Sequence, residues 1–175
     1  PTQTPPTKYP TEAPPSGGAS GSLTGSGRHV ELMIANDFSQ FNDACKASRR
    51  VDGNTDCSGE QAKLAAAQAR SIQIANEVKE IYKRMNFGIT VTLVAHTSFK
   101  SRSAENAAGL SIGSSDSINT LLDRWTEWRK NNNQGSYSAD TAHLFSTIDR
   151  SGGTTGLAWV GTMCRPSHSS GVDED

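Results

Sequence analysis

Four histidines and three cysteines are the residues of this chain best suited to ligate a metal or attack a substrate. The histidines are His29, His96, His143 and His168, and none lies four residues from another. That spacing on a helix is what a His-Glu-x-x-His zinc site requires, so no such site is encoded here. Cys164 and His168 do have it, but Pro166 between them opposes the helix that would align them. Each histidine therefore reads as a surface or strand residue rather than a ligand. No Gly-x-Ser-x-Gly elbow is present, and no glycine-rich phosphate loop follows a strand. Taken alone, the segment carries no visible catalytic apparatus.

Cys45 and Cys57 bracket a polar, turn-forming run that contains Asp52-Gly53-Asn54-Thr55-Asp56. A disulfide there closes a short loop and suits an oxidising compartment; two reduced cysteines in a cytosolic protein are the alternative. Cys164 is then either free or paired with a cysteine outside these residues.

The elements that must position any site begin at Arg28. Val30, Leu32 and Ile34 alternate with Glu31, Met33 and Ala35, a strand apolar on both faces and so covered on both sides. Ser58 and Gln61 fit a capping box, followed by Leu64, Ala67, Ser71, Ile74, Val78, Ile81 and Met85 at spacings of three and four. A second strand is expected over 89–94. Ser115-Asp116 can cap a second helix with the stripe Ile118, Leu121, Leu122, Trp125 and Trp128. A third strand is expected over 142–148 and a short fourth over 157–160. The fold expected is α/β, a mainly parallel mixed sheet with flanking helices. The Ser151-Gly152-Gly153 turn is too short for a parallel crossover, so the fourth strand is expected to be an antiparallel edge.

Six of the seven prolines fall in the first fifteen residues, among Thr, Ser and Gly. Residues 1–27 cannot bury enough surface to offset their ordering entropy and read as a linker. A net charge of −1 with no block of like charge excludes a nucleic-acid or membrane footprint. No apolar run approaches the roughly 20 residues needed to span a bilayer.

The run Thr155-Gly156-Leu157-Ala158-Trp159-Val160-Gly161-Thr162-Met163-Cys164 resembles a signature of the reprolysin family, the adamalysin-like metalloproteases that include ADAM proteases and snake-venom metalloproteinases. Arg28-His29-Val30-Glu31-Leu32 is similar to that domain's first strand, and Asp116 through Trp128-Arg129 to its second helix. Ser138 through Leu144 is similar to the approach to its third strand, and Ser170-Gly171-Val172 to the segment after the signature. The Cys45 to Cys57 segment looks like an insertion relative to the best-known members. The resemblance implies that residues 28–175 are the N-terminal part of a metallopeptidase domain, stopping before its zinc helix.

On that resemblance the parent protein is a secreted or cell-surface zinc metalloendopeptidase, and this fragment is inactive alone. The fourth strand is the rim of the substrate cleft, so Gly156, Leu157 and Ala158 bind an extended polypeptide through main-chain hydrogen bonds. The alternative is a hydrophobic edge without a ligand. Trp159 reads as core. Glu31 and Asp140 match positions that ligate a structural calcium, though calcium takes roughly six to eight oxygens and two carboxylates cannot complete that site. An acid paired with a surface Arg or Lys is the alternative. Zinc would be held by three downstream imidazoles beside a general-base glutamate, so the chain's first partner is the remainder of its own catalytic domain. Cys164 would pair downstream. Two competing readings are a pseudoprotease and a von Willebrand A-like adhesion module. The latter's metal loop opens Asp-x-Ser-x-Ser, which Asp37-Phe38-Ser39-Gln40-Phe41 matches at two positions and fails at Phe41.

Overall fold

A computed structural model describes residues 28–52, 59–134, 137–148, 154–162, 165 and 168–174. The 1–27 linker, Cys57, Ser58, Cys164 and the turn at 151–153 lie outside the described residues. In chain order the elements are β1 (Arg28–Asn36), α1 (Phe38–Asp52), α2 (Glu60–Arg84), β2 (Ile89–Ser98), α3 (Arg102–Ala107), α4 (Ile118–Asn132), β3 (Thr141–Ser146), β4 (Gly156–Ala158) and β5 (Ser170–Glu174).

One five-stranded sheet runs in the order β2-β1-β3-β5-β4. Among the described residues the β1–β2, β1–β3 and β3–β5 pairs are parallel, and β4 on β5 is antiparallel. The α/β class and the antiparallel edge strand are as expected from sequence. The neighbour of that edge strand is not, because β5 follows β4 in the chain and inserts between it and β3.

Alternation along β1 divides the core. Val30, Leu32 and Ile34 face Ala75, Val91 and Phe145, with Ile74 and Val78 of α2 packed alongside. Met33 and Ala35 face Leu121, Leu122, Trp125 and Trp128 of α4, with Leu144 and Val172. Trp125 is fully buried, stacks on Trp128 at 4.8 Å and donates its Nε1–H to the Ala142 carbonyl at 3.2 Å. Burying a large apolar side chain contributes roughly 1.5–3 kcal/mol, so this indole pair fixes α4 against β3.

Several local expectations are corrected. Strand β2 runs on to Ser98, and β4 ends at Ala158 rather than Val160. Helix α2 starts at Glu60 behind an extended Gly59 that offers no side-chain cap, and the Ser58 of the expected capping box lies outside the described residues. Helix α4 is capped by Ser117, whose Oγ accepts the Thr120 N–H at 3.1 Å. Asp116 instead accepts from the Gly113 N–H at 2.8 Å and from Arg124 at 2.9 Å. The apolar stripe of α2 outruns the sheet, leaving Ile81 and Met85 exposed. Helix α1 was not expected, although its signals are present. Asp37 Oδ1 accepts the Gln40 N–H at 2.7 Å as an N-cap does, and Phe41, Ala44 and Cys45 are buried at helical spacing.

Candidate functional site

Strand β4 ends the sheet, and its outer side is unpaired among the described residues. The ladder to β5 shows which groups face out. Glu174 N–H donates to Thr155 O at 2.8 Å, Leu157 lies opposite Val172, and Trp159 N–H donates to Ser170 O at 3.3 Å. Antiparallel ladders alternate, so residues 155, 157 and 159 turn their main-chain groups to β5. Gly156 and Ala158 therefore turn theirs outward, and both are exposed. Leu157, half-buried, sends its side chain into the α4-side core. Of the three residues assigned to substrate binding from sequence, Gly156 and Ala158 supply the open edge and Leu157 anchors it.

The end of β4 is held by a small hydroxyl network. Thr126 Oγ1 donates to Leu122 O at 2.7 Å, accepts the Trp159 Nε1–H at 2.9 Å, and lies 2.8 Å from Ser170 Oγ. With the Thr126 proton committed to Leu122, Ser170 is the donor in the last contact. Trp159 is 41% exposed and rests edge-on against His168, so it is not the core residue expected from sequence. Val160, beyond it, is 97% exposed. Nothing local marked Thr126 as part of this edge.

On the α2 side of the sheet lies a cavity of about 480 Å³ lined by Leu32, Ile74, Val78, His143, Phe145 and Asp173 among others. His143 Nδ1 and Asp173 Oδ2 are 2.6 Å apart. Two glycines make room for this pair. A Cβ on Gly171 would fall 2.7 Å from His143 Cε1, and one on Gly156 would fall 2.9 Å from Asp173 Oδ1. Sequence reading treated His143 as an ordinary strand residue and did not single out Asp173. Parallel pairing of β3 with β5 is what joins them.

The expected calcium residues do come together. Asp140 Oδ2 accepts the Glu31 N–H at 2.9 Å, and the Asp140 N–H donates to the Glu31 carbonyl at 3.0 Å. A cation also faces Asp140. Arg129 is almost wholly buried and donates to Ala139 O at 2.7 Å. Burial lowers its pKa to about 10, and the Asp140 charge opposes that shift. Among the described residues no cluster of three or more His, Cys, Asp or Glu could hold a metal. The described residues thus form no zinc site, and Glu31 meets Asp140 through its main chain rather than through its carboxylate.

Cys45 is buried in α1 and disulfide-bonded. It sits in a helix that continues to Asp52, not at the mouth of a polar loop. The Asp37–Phe41 run is no open metal loop either. Asp37 is fully buried, its Oδ1 also takes the Ser39 hydroxyl at 2.6 Å, and Phe41 is core. His96 is buried at the heart of the sheet with its Nε2 2.7 Å from Asn36 Nδ2, and burial pushes its pKa down to about 4.

A mainly parallel sheet finished by one short antiparallel strand, whose outer side is unpaired among the described residues, defines an α/β protein with flanking helices. A reprolysin profile of Metallo-peptidase family M12 matches residues 28–175. The chain belongs to this metallopeptidase family. It is similar to the snake venom metalloproteinase atroxlysin-1 of Bothrops atrox, with 32% identity over 148 residues, or 85% of this chain and 61% of that protein. It is also similar to a zinc metalloproteinase-disintegrin-like protein of Cerberus rynchops, with 27% identity over 108 residues, or 62% of this chain and 16% of that protein. The chain thus spans less than two thirds of the length of either relative.

Proposed function

We propose that these residues form the substrate-docking part of a zinc-dependent metalloendopeptidase that cleaves extended polypeptides. The observation that carries this reading is the outer edge of β4, where Gly156 and Ala158 offer main-chain donors and acceptors to a further strand. Membership of the metallopeptidase family supports it. An incoming peptide adds to the sheet as a sixth strand, which orders its backbone before any bond is cut. Gly156 and Ala158 hold that backbone, while Leu157 keeps the edge in register.

In this reading zinc is held by residues other than those described, in the remainder of the same catalytic domain, and supplies the Lewis acidity that peptide hydrolysis needs. A calcium ion between Glu31 and Asp140 would tie β1 to the start of β3, with its other oxygens supplied from elsewhere. Cys45 is paired with Cys57, which pins the α1–α2 connection. The oxidised Cys45 and the similarity to a snake venom metalloproteinase support an extracellular or cell-surface setting. No helix among the described residues is long and apolar enough to cross a membrane.

The test is proteolysis by the zinc-loaded parent protein before and after chelation, together with the variant Ala158→Pro. Proline there removes an outward N–H without touching the β4–β5 ladder. KM for peptides is expected to rise roughly tenfold, the equivalent of one charge-free hydrogen bond. Cleavage that survives chelation, or an unchanged KM in the variant, would count against this function.

A further inference from the structure

We propose that Asp173 selects a basic side chain in the bound polypeptide, at the position opposite Gly156. The assignment rests on the reading of β4 as the docking edge. Gly156 pairs with Asp173 on one side and faces the incoming strand on the other. Residues directly opposite in a ladder place their side chains on the same face of the sheet. The substrate side chain opposite Gly156 therefore lies on the face that Asp173 occupies.

Distance and orientation favour a long cation. Two strand spacings, roughly 10 Å, separate β5 from a strand added to β4. The Asp173 carboxylate already leans back across this gap, with Oδ1 2.9 Å from the place a Gly156 Cβ would fill. About one strand spacing, roughly 5 Å, remains. The stem of lysine or arginine spans that distance and keeps its charged head in water. Glycine at 156 keeps the path open, since any side chain there would stand between the two partners.

The carboxylate is also aimed. His143 holds Oδ2 at 2.6 Å, which fixes the rotamer and leaves Oδ1 directed toward β4. Arg70 of α2 and Glu174 line the same cavity. Asp173 itself is partly solvent-exposed on this face.

The experiment uses three otherwise identical peptides carrying lysine, norleucine or glutamate at the position opposite Gly156. Cleavage by the zinc-loaded parent protein gives kcat/KM, and tryptophan emission, in which Trp159 is the exposed indole, gives binding to this chain. The lysine peptide is expected to be preferred over norleucine by roughly fivefold, the value of a partly exposed ion pair. Asp173→Asn should bring the ratio close to one, and Gly156→Val should narrow it by blocking the path. Asp173→Lys should invert the preference toward glutamate, a gain that misfolding cannot mimic. Equal handling of the three peptides, or a lysine preference that survives in Asp173→Asn, overturns the assignment while leaving the docking edge standing. Failure to bind or cleave any of them removes the docking edge itself and the Asp173 assignment with it.

Discussion

Asn36 on β1 points its side-chain amide at His96 on β2, Nδ2 to Nε2, across 2.7 Å in the buried sheet. An amide nitrogen only donates, so His96 Nε2 must accept and the ring proton sits on Nδ1. Adding a second proton would set donor against donor in a buried site. Burial alone already lowers the pKa from its ordinary 6.5 to about 4.

A second buried group titrates in the opposite sense. Glu105 is fully buried, with Oε2 2.7 Å from Arg102. Burial, and then the charge of Asp37, raise its pKa from 4.5 to about 7, against the opposing Arg102. The His96 contribution is complete above pH 6.5 and is lost as pH falls toward 4. The Glu105 contribution is complete below pH 4.5 and is lost as pH rises toward 7. Each amounts to about 3 kcal/mol, so between pH 4.5 and 6.5 they offset. Denaturant melts across pH 4–8 should show Glu105→Gln losing stability with acid and His96→Gln losing it with base. Two variants with the same pH profile would refute the pairing.

Removing the Trp125 side chain should be the most costly single change at the sheet–helix interface. It empties a fully buried site and breaks the contact to Trp128 and the bond to Ala142 O. Trp125→Ala is expected to cost about 3–5 kcal/mol, read from urea denaturation. A loss under 1 kcal/mol would mean that α4 is held by other contacts.

Gly171 makes room for the His143 ring, and a double-mutant cycle can show it. Gly171→Ala places a methyl group 2.7 Å from Cε1 and is expected to cost about 1–3 kcal/mol. Adding His143→Ala should return part of that loss, with Ala158 Cβ at 3.2 Å limiting the recovery. Strict additivity of the two changes would contradict the steric account.

Thr126→Val keeps the shape of the side chain and removes its hydroxyl. The Trp159 indole N–H and the Ser170 hydroxyl lose their partner, and Leu122 O loses a second donor. The cost is expected to be about 1–3 kcal/mol, with a red shift in tryptophan emission as Trp159 loosens. An unshifted spectrum would show that Trp159 is fixed by its ring contact to His168 instead.

Periodicity along the chain was enough to read much of this fold. The two-residue alternation from Val30 and the three-and-four spacing from Leu64 and from Ile118 each report a face that must be buried. They gave β1, α2, α4 and the parallel α/β class, and the Thr155–Cys164 run gave the family and the candidate edge. Helix ends were read less well, because Ser58, Ser115 and Asp116 are all competent caps and only the folded backbone chooses among Gly59, Ser117 and their neighbours.

What local pattern could not reach are the pairings between distant segments. Ser170-Gly171-Val172-Asp173-Glu174 is short and mostly polar, so it carries no strand signal, yet its insertion beside β3 decides which side of β4 faces outward. The same insertion brings Asp173 to His143 and to Gly156, and the β1–β3 pairing brings Glu31 to Asp140 across 109 residues. The chain alone set which residues must be buried, since a buried face is written in its own spacing. Only the assembled sheet set which polar groups meet, because strand order and register depend on contacts that no single segment contains.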